Sequence, residues 1–290
     1  MSGARLVVAA AAAFGVGFSL LVAGCSVGAE PEATSFETAV STEPAPAAGA
    51  EESERLRLSV SRDLSAGDTV ASSDLAVTGG GEASVDIVTA GGGELLASRG
   101  VAGRALRFPA FSSKRVAAIV SVSSSTPGWM DPGARRLTFG VAVRLDAESS
   151  GTVADNGDNL LQRGLFDDPA QFKVQADHRQ PSCLVRGDEG SVLVKSPVRM
   201  EPGAWYRLRC ERDDQAVTIR VSLVQDGVVT TVRSTTATGR IGDIVFAETT
   251  PISIGGKLDP DGGAAAATDQ LNGRLGRAFV EIAATADGEV

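Results

Sequence analysis

Short runs in which apolar and polar residues alternate are the feature of this chain that most limits its fold. The runs cover residues 85–89, 106–108, 116–122, 137–145, 172–176, 217–223 and 278–282. Alternation with a period of two places the apolar side chains on one face of a strand. Turn-forming residues bound the runs, as at Gln225-Asp226-Gly227, which is typical of a hairpin. We therefore expect an all-β protein whose strands pack their apolar faces together in a sandwich.

The first 24 residues have the features of a secretion signal. Arg5 precedes an apolar run over residues 6–23 that is rich in small residues and short for a membrane-spanning helix. The run ends in the motif LVAGC at positions 21–25, which resembles the lipobox of bacterial lipoproteins. The resemblance implies that Cys25 is lipidated and anchors the mature chain to the outer face of the cell membrane. A plain secretion signal, in which Cys25 has no role, is the alternative.

The chain after the signal divides into four parts. Residues 25–55 are acidic and rich in Ala, Pro, Ser and Thr, so they cannot offset their own ordering entropy and we expect a disordered linker. Residues 56–82 begin with alternating apolar residues and are either an extra edge strand or part of the linker. Residues 83–285 are expected to form the folded domain, and 286–290 a short tail.

The charge of the chain limits its partners. The formal net charge is -9 at pH 7. This acidic balance argues against a nucleic-acid partner, because it repels phosphate, and against electrostatic adhesion to anionic lipid.

The chain has three cysteines. With Cys25 lipidated, Cys183 and Cys210 remain as an even pair in an oxidising compartment, and we expect them to form a disulfide. Cys210 shares a strand face with Tyr206 and Leu208. If both cysteines face inward, neighbouring strands would bring their sulfur atoms within bonding distance. Neither a CxxC motif nor a Cys/His cluster is present, which argues against thiols that bind metal or catalyse a reaction.

Several short blocks follow one another in the order typical of a known family. They are GRALRF at 103–108, LTFGVAVRL at 137–145, GDNLLQRG at 157–164, GAWY at 203–206, ISIGGK at 252–257 and NGRL at 272–275. In this order they resemble the laminin G-like, or concanavalin A-like, jelly-roll domains of secreted actinobacterial proteins. The resemblance implies two antiparallel sheets packed face to face. The segment 159–164 is expected to be a strand ending in a glycine turn, and Gly255-Gly256 to allow a bulge or a close backbone approach.

No pattern of catalytic residues stands out. Glycoside hydrolases on such folds need paired carboxylates on one strand face, and the nearest run, Asp146-Ala147-Glu148, is better interpreted as a loop. The only histidine, His178, lies in a polar turn, so a serine triad lacks a base. Phosphate-loop, zinc and dinucleotide motifs are missing from the sequence. We expect a protein that is not an enzyme and has no cofactor apart from calcium.

The resemblance implies a possible calcium site, because laminin G-like domains sometimes bind calcium at the sandwich rim through oxygen ligands. Asp158 and Asn159 are the candidate metal ligands, since they belong to an acidic loop inside a matching block. A second acidic loop holds Asp259, Asp261 and Asp269. Simple solvated turns are the alternative for both loops.

Two tryptophans are candidates for stacking on a sugar ring. Trp129 follows a Pro-Gly turn signal, which predicts an exposed loop, and Trp205 begins a strand. Packing at the rim or in the core is the alternative for each, and aromatic residues make up only 4% of the chain.

Together these features predict a non-catalytic binding module held at the cell surface by a lipid, with an envelope glycan or an envelope protein as its ligand. A structural lipoprotein that spaces or stabilises an envelope complex is the alternative. An enzyme on the same scaffold is a third reading, because a fold alone does not give a function.

Overall fold

The computed structural model describes residues 53–284, except 80, 113, 115, 149–157, 248–249 and 265–268. The secretion signal, Cys25, nearly all of the linker and the tail 286–290 lie outside the described residues, so the interpretations made for them stay predictions. Within the described ranges, no helix combines the length and the apolar character needed to cross a membrane.

Strands account for almost all of the regular structure in these ranges, and the only helix is a single 3-10 turn at Ser72–Asp74. The strands are β1 (Glu54–Val60), β2 (Leu75–Thr78), β3 (Ser84–Ala90), β4 (Leu96–Arg99), β5 (Arg104–Arg107), β6 (Ala117–Ser123), β7 (Leu137–Leu145), β8 (Asp158–Arg163), β9 (Gln171–Asp177), β10 (Gln180–Gly187), β11 (Gly190–Lys195), β12 (Trp205–Asp213), β13 (Ala216–Gln225), β14 (Val228–Thr238), β15 (Ile252–Ile254) and β16 (Gly273–Ile282). Each alternating run of the sequence overlaps one of these strands, and the run at 278–282 covers only the second half of β16.

The strands form two antiparallel sheets. The first sheet has the order β14-β13-β12-β7-β16-β1-β2, with the β4-β5 hairpin joined to β16 through β5. The second sheet has the order β11-β10-β9-β8-β15-β6-β3. The expected fold class, an all-β two-sheet antiparallel jelly-roll sandwich, is confirmed.

The core lies between the two sheets and is built by the alternation. On β7, Phe139 is fully buried and its ring centroid lies 4.9 Å from that of Phe172 on β9 of the other sheet. Fully burying one such side chain contributes roughly 1.5–3 kcal/mol. The residues that alternate with the apolar ones face outward, so the chemistry of each outer face is set by them.

Residues 56–82 belong to the sandwich. β1 pairs with β16 on one side and with β2 on the other, so it lies inside the first sheet rather than at its edge or in a linker. Leu56 is fully buried opposite Val280. The edge-strand interpretation is therefore wrong for β1. Its interior position could not be recognised from the sequence, because its partner strand β16 lies more than two hundred residues further along the chain.

The predicted turns are confirmed. Asp226 and Gly227 both adopt the left-handed conformation, with φ of 50° and 82°, as a type I′ hairpin turn between β13 and β14 requires. Gly255 allows a close approach, because a Cβ atom added there would lie 1.9 Å from Phe108 Cε1.

The predicted disulfide between Cys183 and Cys210 is present and fully buried. Cys183 lies on β10 of the second sheet and Cys210 on β12 of the first, so the bond crosses the core. The expectation that neighbouring strands carry the two cysteines is therefore wrong. The alternation identified the inward face of each strand but not the sheet to which each strand belongs.

Replacing both cysteines, Cys183→Ala with Cys210→Ala, is expected to lower the free energy of unfolding by about 3 kcal/mol, because the bond closes a loop in the unfolded chain. The sequence separation of the two cysteines is 27 residues. Urea denaturation measures the change. A reducing agent should destabilise the unmodified protein and leave the double variant unaffected; equal stability of the two oxidised proteins would contradict the prediction.

Candidate functional site

The outer face of the first sheet carries a set of outward-pointing arginines from six strands. We call this set the arginine face: Arg57, Arg107, Arg144, Arg207, Arg209, Arg220, Arg274 and Arg277. The alternation on β12 explains two of them, because Leu208 and Cys210 are buried in the core while Arg207 and Arg209 face the other way. Arginines at outward positions of neighbouring strands therefore share one surface of the sheet.

The strand register brings several of these arginines next to each other. Arg274 of β16 lies opposite Arg144 of β7 on one side and opposite Arg107 of β5 on the other. Arg209 of β12 lies opposite Arg220 of β13. Like charges directly opposite each other destabilise a sheet. Stability of the fold therefore does not explain this arrangement.

Few carboxylates neutralise these eight arginines, although Arg55 on the same sheet face is paired with Glu281 at 2.7 Å. Arg107 lies 2.6 Å from an oxygen of Asp146, and Arg209 lies 3.7 Å from an oxygen of Glu211. Among the described residues, the other six arginines have no carboxylate oxygen within 4.0 Å. Since the whole chain has a net charge of -9, this positive face is a local concentration of charge.

Two of these side chains have a partly desolvated donor. Among the described residues, the buried Nε atoms of Arg144 and Arg207 have no hydrogen-bond partner. Burial lowers the pKa of Arg207, and the nearby Arg277 lowers it further. A buried donor without an acceptor costs free energy, so the fold holds these two guanidinium groups in place at a cost to its own stability.

Crowding of like charges also acts on Arg274. Burial lowers the pKa of Arg274 first, the charges of Arg107 and Arg144 lower it further, and Asp146 partly opposes them. The Arg274 Nε atom donates a hydrogen bond of 2.9 Å to Ser98 Oγ. That bond fixes the orientation of the side chain but supplies no negative charge.

Trp205, a predicted sugar-stacking residue, lies on the same face. It begins β12 and directly precedes Tyr206, which pairs with Val143, so Trp205 stands beside Arg144. Its side chain is half-buried, in contrast to Tyr206, which is buried on the inner face. The structure thus places Trp205 within reach of a ligand bound to the arginine face, and its stacking role stays a prediction.

Trp129, the other candidate, is buried, with only 6% of its surface exposed. The predicted turn is present, but the expectation of an exposed loop is wrong. The Trp129 ring centroid lies 5.3 Å from the guanidinium carbon of Arg163. A turn signal predicts where the chain reverses, but it does not predict whether the loop folds back over a buried charge.

The sequence did not point to Arg163, and this residue explains why the loop that carries Trp129 is buried. It is 2% exposed and points inward from β8. Its Nη1 atom donates to the carbonyl oxygens of Trp129 and Met130 at 2.7 and 2.9 Å, and its Nε atom donates to that of Thr250 at 3.1 Å. The side chain therefore ties two connecting segments to the second sheet.

An ion pair and an aromatic ring complete the surroundings of Arg163. An oxygen of Asp131 lies 3.1 Å from its Nη1 atom, and the ring centroid of Phe246 lies 4.2 Å from its guanidinium carbon. Burial lowers the pKa of Arg163 to about 10, although Asp131 opposes the shift. Burial raises the pKa of Asp131, and the charge of Arg163 counteracts that rise. Because this charge is enclosed by protein, we assign it a structural role.

Asp158 and Asn159 do not lie in a loop as expected but form the buried start of β8. Asp158 Oδ1 accepts a 2.9 Å hydrogen bond from the backbone nitrogen of Asn272, and Asn159 Nδ2 donates to Gln162 Oε1 at 2.8 Å. Among the described residues, no group of three or more His, Cys, Asp or Glu side chains could hold a metal ion. Calcium binding stays a prediction.

The residues considered for catalysis lie where the sequence predicted. Asp146 directly follows β7, and the run with Glu148 is a loop. His178 is exposed in the turn between β9 and β10 and has a φ of 48°.

The outer face of the second sheet is polar, but its central amides bond to the protein itself. A groove of about 220 Å³ there is lined by Gln162 and Ser253, among others. Gln162 Nε2 donates to the carbonyl oxygen of Gly164 at 2.7 Å, and Ser253 Oγ donates to that of Gln162 at 3.4 Å. The arginine face therefore offers more unused hydrogen-bond donors for a ligand.

No family model and no curated protein matches this chain. Several solved structures are similar in part. The binding domain of Paraclostridial Mosquitocidal Protein 1 is 11% identical with a TM-score of 0.48, over 76% of this chain and 49% of that chain. Carbohydrate binding module CBM66 from Bacillus subtilis is 10% identical with a TM-score of 0.33, over 67% of this chain and 94% of the module. The LG1-3 region of the laminin alpha2 chain is 9% identical with a TM-score of 0.37, over 77% of this chain and 60% of that region.

The chain thus spans about half the length of the first of these structures. All three likenesses are too distant to assign a ligand or a site to this protein.

The substitution Trp129→Ala is expected to lower the free energy of unfolding by about 3–5 kcal/mol, because it removes a buried aromatic side chain and opens the cover of Arg163. Thermal or urea denaturation measures the loss. Phe166→Ala is the matched control, since Phe166 is an aromatic residue with 76% of its surface exposed. Its ring lies 5.3 Å from the guanidinium carbon of Arg186, so its replacement should change stability by no more than about 1 kcal/mol. A Trp129→Ala protein of unchanged stability but weaker glycan binding would contradict the structural role.

Proposed function

We propose that this protein is a non-catalytic binding module for an acidic polysaccharide of the bacterial envelope, and that the arginine face is its binding surface. One observation carries the proposal. Six guanidinium groups that have no carboxylate partner among the described residues share one sheet face of a chain whose net charge is -9.

The chemistry of the guanidinium group supports an anionic ligand. Its planar fork of N–H donors matches the two oxygens of a carboxylate or the oxygens of a phosphate or sulfate ester. Charged hydrogen bonds of this kind are stronger than those between neutral groups. Arg144 and Arg207 suit such a ligand, because among the described residues neither guanidinium group has a carboxylate oxygen within 4.0 Å.

The shape of the site supports a polymer. Neighbouring strands lie about 4.8 Å apart, and residues on the same face of one strand repeat every second position, so the arginines form a regular array of charges. A linear chain with repeated anionic groups can contact several of them at once. Linked weak contacts of this kind add up to useful avidity. Trp205, at the border of the array, would supply an apolar surface for a sugar ring.

The proposed location narrows the class of polymer. In this proposal the lipid on Cys25 holds the module on the outer face of the cell membrane, and the acidic linker lets it reach into the envelope. Polyanions in that compartment are mainly polysaccharides with acidic or phosphorylated units. Nucleic acid is therefore the less suitable partner, although both would meet the same charges.

The variant Arg144→Gln with Arg207→Gln is expected to weaken binding to alginate, a polymer of uronic acids, by about tenfold for each arginine. The reason is that a hydrogen bond to a charged group contributes about 1.5 kcal/mol, which is close to a factor of ten. Titration calorimetry with the full-length protein at low salt measures the affinity. Added salt should weaken the unmodified protein more steeply than the variant.

Arg240→Gln is the matched control for this experiment. Arg240 is exposed, lies off the arginine face and contacts Glu189 at 3.2 Å. Its replacement should leave alginate binding unchanged, neutral dextran should not bind, and alginate should keep its length during incubation. A loss in Arg240→Gln equal to that of the double variant, or shortening of the polymer, would overturn the proposal.

The lipid anchor has its own test. Cys25→Ser is expected to abolish labelling with radioactive palmitate and to move the protein from the membrane fraction to the medium, because the acyl chains provide the anchor. Cells producing the unmodified protein are the reference. Palmitate labelling that persists in the Cys25→Ser protein would exclude Cys25 as the lipid attachment site.

A further inference from the structure

Strand β16 changes its partner midway, and this creates a fork in the first sheet. Arg274 and Leu275 pair with β5, whereas the segment from Phe279 to Ile282 pairs with β1. The register leaves residues 276–278 unpaired on this side. On the other side, the pairing with β7 shifts at the same point, so the strand bulges there. We call this place the strand fork.

A cavity of about 630 Å³ opens at the strand fork. Part of its wall is apolar and is formed by side chains such as Leu58 and Leu275. Three arginines, Arg62, Arg104 and Arg277, also line it, and the described lining contains no aspartate or glutamate. The cavity is therefore concave, and arginines are the only charged residues in its described lining.

The three arginines are not neutralised within the described protein. Among the described residues, no carboxylate oxygen lies within 4.0 Å of any of their guanidinium groups. An Nη atom of Arg104 donates a 3.4 Å hydrogen bond to the backbone carbonyl oxygen of Arg62. This contact joins the segment after β1 to the β4-β5 hairpin, so it holds the Arg104 side chain at the cavity.

The third cation is placed by the bulge. Arg277 has a φ of 54°, a left-handed conformation that is unfavourable for a residue with a side chain. Strained backbone of this kind tends to collect at binding sites, where the surrounding structure maintains it. The bulge thus directs Arg277 to a position that regular pairing would not give it.

We propose that the strand fork binds a compact anion with more than one negative charge, namely a phosphate group, free or as an ester. Three arginines lining one cavity match the several oxygens of phosphate, whereas a single carboxylate would leave cations unpaired. The site differs from the flat arginine face because it is concave, and two of its three arginines belong to other segments. It does not depend on the binding of a polymer.

Titration calorimetry of the full-length protein with inorganic phosphate, in a buffer without other multivalent anions, tests the proposal. Phosphate should bind, and Arg62→Gln and Arg104→Gln should each weaken it about tenfold or more. Arg99→Gln is the matched control, because Arg99 is exposed on β4 opposite Arg104 but does not line the cavity, and it should bind as the unmodified protein does. Glycerol phosphate binding more tightly than inorganic phosphate would identify an ester as the ligand, and the reverse a free phosphate; acetate should not bind.

The test remains decisive if Arg104→Gln does not fold. The Arg62 backbone, not its side chain, accepts the bond from Arg104, so Arg62→Gln keeps that contact and can be judged alone. Silence of the unmodified protein toward both phosphates, or an equal loss in Arg99→Gln, would overturn the proposal. Arg144→Gln with Arg207→Gln should retain phosphate binding within about threefold while losing alginate, so the strand fork and the arginine face can fail independently.

Discussion

Contact between the apolar inner faces of the two sheets is the interaction on which the rest of the structure depends. The pair Phe139 and Phe172 joins the sheets by packing, and the Cys183–Cys210 bond joins them covalently through the same core. Because stability comes from this interior, the outward residues of each strand are free to vary. A surface with an unfavourable charge arrangement can then be carried without loss of the fold.

The outer face of the first sheet uses that freedom. Arg107, Arg274 and Arg144 stand side by side on three strands, although repulsion between them works against folding. Arg163 shows the contrasting case of a buried arginine that is fully supplied with carbonyl oxygens, a carboxylate and an aromatic ring. The same residue type thus has its hydrogen bonds and charge satisfied by the protein in one place, and in the other it forms the surface that we propose binds a ligand.

The sequence predicted what depends on neighbours along the chain. Alternation located β7 and β13, and the Asp226-Gly227 turn located the hairpin, because both signals are local. Long-range pairing was out of reach: nothing near Leu56 indicates that it packs opposite Val280, and nothing near Arg274 indicates that it faces Arg144. The alternation on β12 indicates that Arg207 and Arg209 face outward. It does not indicate which arginines lie beside them, because some of those come from strands distant in the sequence. The position of Trp129 could not be predicted either, since it depends on Arg163.

The interior position of β1 has a mechanical consequence. If the proposed lipid anchor holds the amino end, force acts on the domain whenever cell and ligand move apart. A pull through the chain before β1 would act parallel to the strand and would load its hydrogen bonds to both β16 and β2 in shear. Bonds loaded in shear break together rather than one by one, so β1 would resist tension applied at its amino end.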